Sequence, residues 1–340
     1  MMYGGEGMPF AGGNSLREAY RKAEKEGFAF MANNIAEPSV LLALLKTYAD
    51  AESDLVVQIS PGAAKYMGNG NKRIGLRTLC RVVHELAEAF PISVFINLDH
   101  FTLGEMDLIK MVIEERLVSS IMIDASKESF DENVRISRDV ARMAAGSGVL
   151  IEAELGKIKG VEDEIESDEA FYTDPSEAVE FIRATGADLL AISIGTQHGV
   201  SKGKEIELRT DIASAIRDKF ADEGIEVPLV LHGSSGLLAE QVRDVIQFGV
   251  RKLNKDTHYQ YGFGRAACQF YLEHQQEILP PEGVEDDVIN LFSGSEWSPN
   301  KKAFDPRVVG RAIQEGVSQI ARALLEQGGS GGHALSRLGG

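Results

Sequence analysis

Residues 174–195 read DPSEAVEFIRATGADLLAISIG, and this stretch decides the fold. Asp174 stands at an N-cap position, with Pro175 the first helical residue and Glu177 just after it, so a helix begins here. Ala178, Phe181, Ile182 and Thr185 recur on one face of that helix, and Gly186 stops it. Residues 188–195 then run almost wholly apolar, as a strand buried on both faces does. A helix leading into such a strand is the unit of a parallel sheet with right-handed crossovers.

The unit repeats along the chain. Further candidate strands lie at 28–35, 54–60, 93–100, 119–126, 148–156, 228–234 and 251–257, with helical periodicity between them. With 188–195 they make eight, the number that closes a barrel. The fold class is therefore α/β, a TIM (β/α)8 barrel. Ser15 with Glu18 reads as a capping box for an N-terminal helix that caps the barrel. A helix near 238–248 turns Val242, Val245 and Ile246 inward and ends at Gly249. After the last strand, a helix, an irregular stretch at 280–305 and a final helix from Pro306 form a C-terminal helical extension. Residues 1–327 read as one domain and the Gly/Ser-rich 328–340 as a flexible tail. The acidic, glycine-containing 156–172 is longer than most βα loops and reads as a lid, and 195–209 is similar.

A net charge of −17 excludes the basic face that a nucleic-acid binder needs. The two cysteines, Cys80 and Cys268, are too far apart in sequence to suggest a metal or disulfide framework, which fits a reducing cytoplasm. We read neither a signal peptide nor an apolar run of the ~20 residues that span a bilayer, so no membrane partner is expected.

In a (β/α)8 barrel the chemistry collects at the C-terminal ends of the strands. Those ends carry Asn33, Ser60, Asp99, His100, Asp124, Glu152, Glu154, His198, His232, Asn254 and Asp256. Three imidazoles, His100, His198 and His232, with a fourth position open, make a catalytic zinc site. Asp99 beside them reads as a general acid/base. Neighbouring residues of a strand point to opposite faces, so the chain must leave the pleat here if Asp99 and His100 serve one site. The alternative for Asp99 is the N-cap of the following helix. Gly233-Ser234-Ser235-Gly236 and Asn254-Lys255-Asp256-Thr257 follow the last two strands, where this fold holds phosphate on backbone N–H groups. Lys202 adds charge.

Asn97-Leu98-Asp99-His100, Met122-Ile123-Asp124-Ala125-Ser126, Ile151-Glu152-Ala153-Glu154-Leu155-Gly156, Gly195-Thr196-Gln197-His198-Gly199, Leu231-His232-Gly233-Ser234-Ser235-Gly236 and Asn254-Lys255-Asp256-Thr257 resemble, in order, motifs of class II fructose-bisphosphate aldolases. The resemblance runs from about Gly27 to the last helix and looks closest to archaeal members from saline habitats. It implies an aldehyde-lyase that reversibly cleaves fructose 1,6-bisphosphate to dihydroxyacetone phosphate and glyceraldehyde 3-phosphate, serving glycolysis and gluconeogenesis. It implies Zn2+ held by His100, His198 and His232, with Asp99 and Glu162 catalytic. Asp124 and Glu154 match a second metal site, so the resemblance admits a second divalent ion and a monovalent cation. Asn33, Ser60, Gly199, Lys202, Gly233, Ser235, Asn254, Asp256 and Thr257 match substrate and phosphate contacts. Arg307, in the stretch Ser298-Pro-Asn-Lys-Lys-Ala-Phe-Asp-Pro-Arg307, matches an arginine that reaches across a homodimer. Lys127, Val161 and Ser201 depart from the pattern.

Other readings remain open at this point. A lysine Schiff-base aldolase would want a lysine inside the sixth strand, and none is there. A tagatose-1,6-bisphosphate aldolase shares every motif above, and the Arg307 segment favours fructose. A metal-dependent hydrolase would show His-x-His on the first strand, where Asn33-Asn34 stands. An inactive barrel kept as a scaffold would have lost a histidine or Asp99.

Overall fold

The computed structural model describes residues 11–158, 160–162, 165–167, 171–200 and 206–335, of which 160–162 and 165–167 as backbone only. Eight parallel strands form a closed barrel: β1 (Phe30–Asn34), β2 (Leu55–Ile59), β3 (Val94–Phe101), β4 (Ser120–Ile123), β5 (Leu150–Leu155), β8 (Leu189–Ile192), β9 (Leu229–Leu231) and β10 (Val250–Lys255). β1 closes the ring by pairing with β10, Phe30 opposite Lys252. Among the described residues two further strands, β6 (Gly160–Glu162) and β7 (Ile165–Ser167), pair antiparallel inside the long loop after β5. A bridge between Lys157 and Phe171 closes the base of that loop.

The helix in the opening stretch runs over Pro175–Thr185, and the Asp174 carboxylate accepts the N–H groups of Ser176 and Glu177. Gly186 ends it at φ 70°, the left-handed conformation that glycine adopts without strain. At the N-terminus the expected capping box does not form. The first helix begins at Gly13, with no side-chain cap, and Ser15 lies inside it. The reason is tertiary: a Cβ on Gly13 would lie 2.0 Å from the Gly148 carbonyl oxygen, so the helix start is set by glycine contact with the barrel floor.

Side chains inside the barrel fall into two zones. Phe30, Ala32, Val56, Phe95, Leu150, Leu189, Ala191 and Val230 fill the N-terminal half, closed from below by Leu16, Ala19, Tyr20 and Ala23 of the first helix. A larger apolar shell lies between the strands and the surrounding helices. The final helix, Pro306–Gly328, packs on Pro38–Asp50 and Thr257–Glu273.

The flexible tail expected from residue 328 onward is not what residues 329–335 form. His333 stacks on Phe28 with ring centroids 4.5 Å apart and pairs with Glu26. Ser330 is buried against Ser53, and the Leu335 N–H donates to the Asp54 carboxylate. The glycines there supply turns, at Gly329 and Gly332, that fold the segment back under the barrel. Composition alone does not reveal those contacts. Residues 336–340 lie outside the described residues. Among the described residues no helix is long and apolar enough to cross a membrane.

Candidate active site at the barrel mouth

The C-terminal half of the interior is polar. Inward positions on β1, β2, β3, β5 and β10 carry Asn34, Gln58, Asn97, Asp99, Glu152, Glu154, Lys252 and Asn254, all buried. The conflict at Asp99 and His100 is resolved by the backbone. The register of β3 against β4 shifts between Leu98 and Phe101, and His100 takes φ 51°. This bulge breaks the alternation, so both side chains reach the same cluster. Asp99 does not cap the next helical turn; Thr102 does, in a capping box with Glu105.

Asp99 receives three carboxamide donors: Asn34 Nδ2 at 2.8 Å, Asn254 Nδ2 at 3.0 Å and Gln58 Nε2 at 3.2 Å. Gln58 is itself held by Asn97, which donates to Ser120. A carboxylate fixed this way has a defined orientation.

His100, His198 and His232 come together at the mouth, with ring centroids 4.6, 5.4 and 6.5 Å apart pairwise. Three imidazoles on one tetrahedral ion place their centroids about 5 Å apart. The two pairs that include His100 match this spacing, while His198 stands wider from His232 and is in neither group of ligand atoms that lie within 4.8 Å of one another. His100 Nε2 lies 3.0 Å from His232 Nδ1, while the far nitrogens face carboxylates. His100 Nδ1 meets Asp124 at 3.0 Å, and His232 Nε2 meets Glu152 at 2.8 Å. Such backing carboxylates orient ligand imidazoles and raise their basicity. Asp99, His100 and His232 offer ligand atoms within 4.8 Å of one another, and so do His100, Asp124 and Glu154.

The carboxylates differ in charge state. Burial would raise Glu152, but the charge of Lys252 and the His232 and Lys252 hydrogen bonds outweigh it and bring the group down to about 2. Asp124, also opposed by burial, is held low by His100 and Ser126. Burial and then the nearby Asp124 push Glu154 well above the usual range. Its Oε2 has no hydrogen-bond partner, a buried acceptor that a cation would satisfy. His232 is lowered, chiefly by burial.

The glycines of the loops bring these groups together. Gly233 adopts φ 60°, and a Cβ there would lie 2.8 Å from the Gln197 backbone. Only glycine lets the His198 loop approach His232 so closely. Gly199 is also left-handed, at φ 81°. Ser235 lies in the turn Ser234–Gly236, and Asp256 and Thr257 open the helix Thr257–Glu273. Ser60 follows β2, and its Oγ caps the helix Pro61–Met67.

Over Asn33 the structure disagrees with the sequence reading. Its Oδ1 accepts the hydroxyls of Tyr48 and Tyr259, and its Nδ2 donates to the carbonyls of Met31 and Val56. The two tyrosine bonds tie β1 to the outer helices, and the two amide bonds tie Asn33 to its own strand and to β2. Asn34, the next residue, is the one that faces the site, because the β1 alternation puts even-numbered positions inside. Gln58, Asn97 and Lys252 were also missed; an amide or charge inside an otherwise apolar strand was the available signal. Arg307 is exposed and pairs with Asp305 at the start of the last helix, touching none of the residues above. Glu162 ends β6, where its backbone pairs with Ile165; its side chain, Lys202 and Ser201 lie outside the described residues.

The family profile described as fructose-bisphosphate aldolase class-II matches residues 14–333. The chain belongs to the class II fructose-bisphosphate aldolase family. It is 35% identical over 306 residues to the fructose-bisphosphate aldolase of Geobacillus stearothermophilus, covering 89% of this chain and 97% of that one. It is 30% identical over 340 residues to the Corynebacterium glutamicum fructose-bisphosphate aldolase, covering 92% and 95%. The crystal structure of the Campylobacter jejuni enzyme of that name superposes with a TM-score of 0.78 at 28% identity, over 95% of this chain and 96% of that one. As a class II aldolase the chain is a metal-dependent lyase on a TIM barrel.

Proposed function

We propose that this aldolase cleaves fructose 1,6-bisphosphate reversibly to dihydroxyacetone phosphate and glyceraldehyde 3-phosphate, with zinc held by His100, His198 and His232. The observation that carries the reading is Asp99: a buried carboxylate on three carboxamide donors, with ligand atoms within 4.8 Å of those of His100 and His232. A zinc ion bound there supplies Lewis-acid stabilisation of negative charge developing on the ketose carbonyl.

The chain's own residues then act in sequence. Asp99 Oδ takes the proton of the C4 hydroxyl as the C3–C4 bond breaks, and the electron pair of that bond stays on C3. The aldehyde half leaves as glyceraldehyde 3-phosphate. Glu162, on the hairpin of β6 and β7, returns a proton to C3, which yields dihydroxyacetone phosphate. Asn254, bridging Asp99 and His232, holds the reacting end. Gly199, Lys202, Gly233, Ser235, Asp256 and Thr257 bind the ketone-side phosphate, while Ser60 orients the aldehyde side. Arg307 belongs to the second phosphate site of a partner in a homodimer. Asp124 and Glu154 hold an auxiliary cation. Cys80 and Cys268 are free thiols, in keeping with a cytoplasmic enzyme.

The test is cleavage of fructose 1,6-bisphosphate before and after EDTA, then with zinc restored, beside the same assay on tagatose 1,6-bisphosphate. Activity lost to the chelator and recovered with zinc supports the reading. Activity indifferent to EDTA would overturn the metal mechanism, and a preference for the tagatose epimer would overturn the substrate.

A further inference from the structure

Two lysines of the last barrel strand, Lys252 and Lys255, meet opposite fates. Lys252 points into the barrel, where Glu152 neutralises it at 2.7 Å. Lys255 points outward and is equally buried, at 0% exposure. Its Nζ donates a single hydrogen bond, 2.7 Å, to the carbonyl of Ser234. No carboxylate among the described residues pairs with it. Leu253, on the same outward face, shows that an apolar side chain is accommodated there. An unpaired ammonium in such a place is costly, and burial draws the Lys255 amine down to about 7.

The surroundings of Lys255 give that charge a use. Ser234 begins the turn after β9, and its Oγ donates to the carbonyl of Asn254, so that turn is bonded to the end of β10 at both Asn254 and Lys255. The helix Thr257–Glu273 starts two residues further on without a side-chain cap. The N-terminus of that helix and the 233–236 loop present backbone N–H groups of the kind that hold an anion. Nζ faces away from the barrel interior, so Lys255 is no Schiff-base nucleophile.

We infer that Lys255 is a positioning residue for the substrate phosphate held by the 233–236 and 256–257 loops, with the bound dianion serving as the counter-ion that the folded chain withholds from it. The inference rests on the bisphosphate reading given above. Lys255 acts through the loop it anchors and through its field, and it touches neither the reacting carbons nor the metal ligands.

The experiment compares the zinc-loaded parent enzyme with Lys255→Met and Lys255→Gln; glutamine keeps a donor for the Ser234 carbonyl but removes the charge. In the condensation direction, both variants are expected to raise KM for dihydroxyacetone phosphate about tenfold while KM for glyceraldehyde 3-phosphate stays within about twofold. Calorimetric titration with inorganic phosphate is expected to weaken in parallel, and this arm needs no turnover. Thermal melts establish that each variant is folded. Parent-like phosphate affinity in the glutamine variant would overturn the inference, because it would show the charge to be dispensable. Equal losses for both substrates would overturn it too, since they would mark a general packing fault. If the parent enzyme binds phosphate but cleaves no ketose bisphosphate, the functional reading falls, and the titration still decides the role of Lys255.

Discussion

The two ends of the barrel are built from the same strands yet do opposite work. Below, Phe30, Val56, Phe95, Leu150 and Val230 interlock with the first helix and leave no polar group to satisfy apart from the Tyr20 hydroxyl. Above, two residues further along β2, β5 and β9 and four along β3, Gln58, Glu152, His232 and Asp99 replace them, joined by Asn254 of β10. Burial of the lower layer stabilises at about 25 cal/mol per Å2 of apolar surface. The upper layer is equally dry, but each of its groups must find a partner, and those partners set the orientation and charge of the site. Stability and chemistry are thus separated along the barrel axis by only a few ångströms.

The sharpest way to break this comparison is at Asp99. Asp99→Asn keeps the volume and the packing but removes the base, so kcat is expected to fall about 10²–10⁴-fold with little change in Tm. A large drop in Tm instead would make Asp99 a structural member of the layer. At the other end, Phe95→Ala should cost about 3–5 kcal/mol of stability in urea unfolding, while the folded fraction keeps its kcat. A comparable loss of kcat per folded molecule would show that the two zones are not separable.

Between these extremes stands Glu154. Its folded pKa lies above the ordinary 4.5, so its contribution to stability is present below about pH 4.5 and is lost as pH rises through the raised value. In EDTA at pH 7, Glu154→Gln should therefore be more stable than the parent by roughly 1–3 kcal/mol. That gap should close on acidification towards pH 4.5. Melts recorded across pH check the sign, and a variant less stable at pH 7 would contradict it. The smallest effect belongs to the clip beneath the barrel. His333→Ala loses the stack on Phe28 and the pair with Glu26, and about 1 kcal/mol of stability is expected to go with them. Activity at 25 °C should not move.

Much of this molecule can be read from local pattern. Six of the eight barrel strands fall wholly within the expected stretches, and β3 and β10 overrun theirs by one residue, at Phe101 and Val250. Where a strand is buried on both faces, its apolar run is a composition that helices and loops do not share. Asp174, Pro175 and Gly186 mark helix ends through bonds that span only a few residues. The sequence also places His100, His198 and His232 at strand ends. The misreadings share a cause, which is that they depend on contacts from elsewhere in the chain. Ser15 loses its cap because Gly13 meets Gly148, and 329–335 is held by Phe28, Ser53 and Asp54, which lie far away in sequence.

The sequence by itself determined the alternation of helix and strand, the closure of eight units into a barrel, and the residue types available at its mouth. Each of these follows from periodicity and from chemistry carried by single residues. Only the tertiary structure decided which of two neighbours faces the site. Asn34 turns in and Asn33 out by strict alternation, while Asp99 and His100 both turn in because a bulge suspends it. A shift of one residue reverses the direction of every side chain that follows, and what fixes that shift is the pairing with the neighbouring strand.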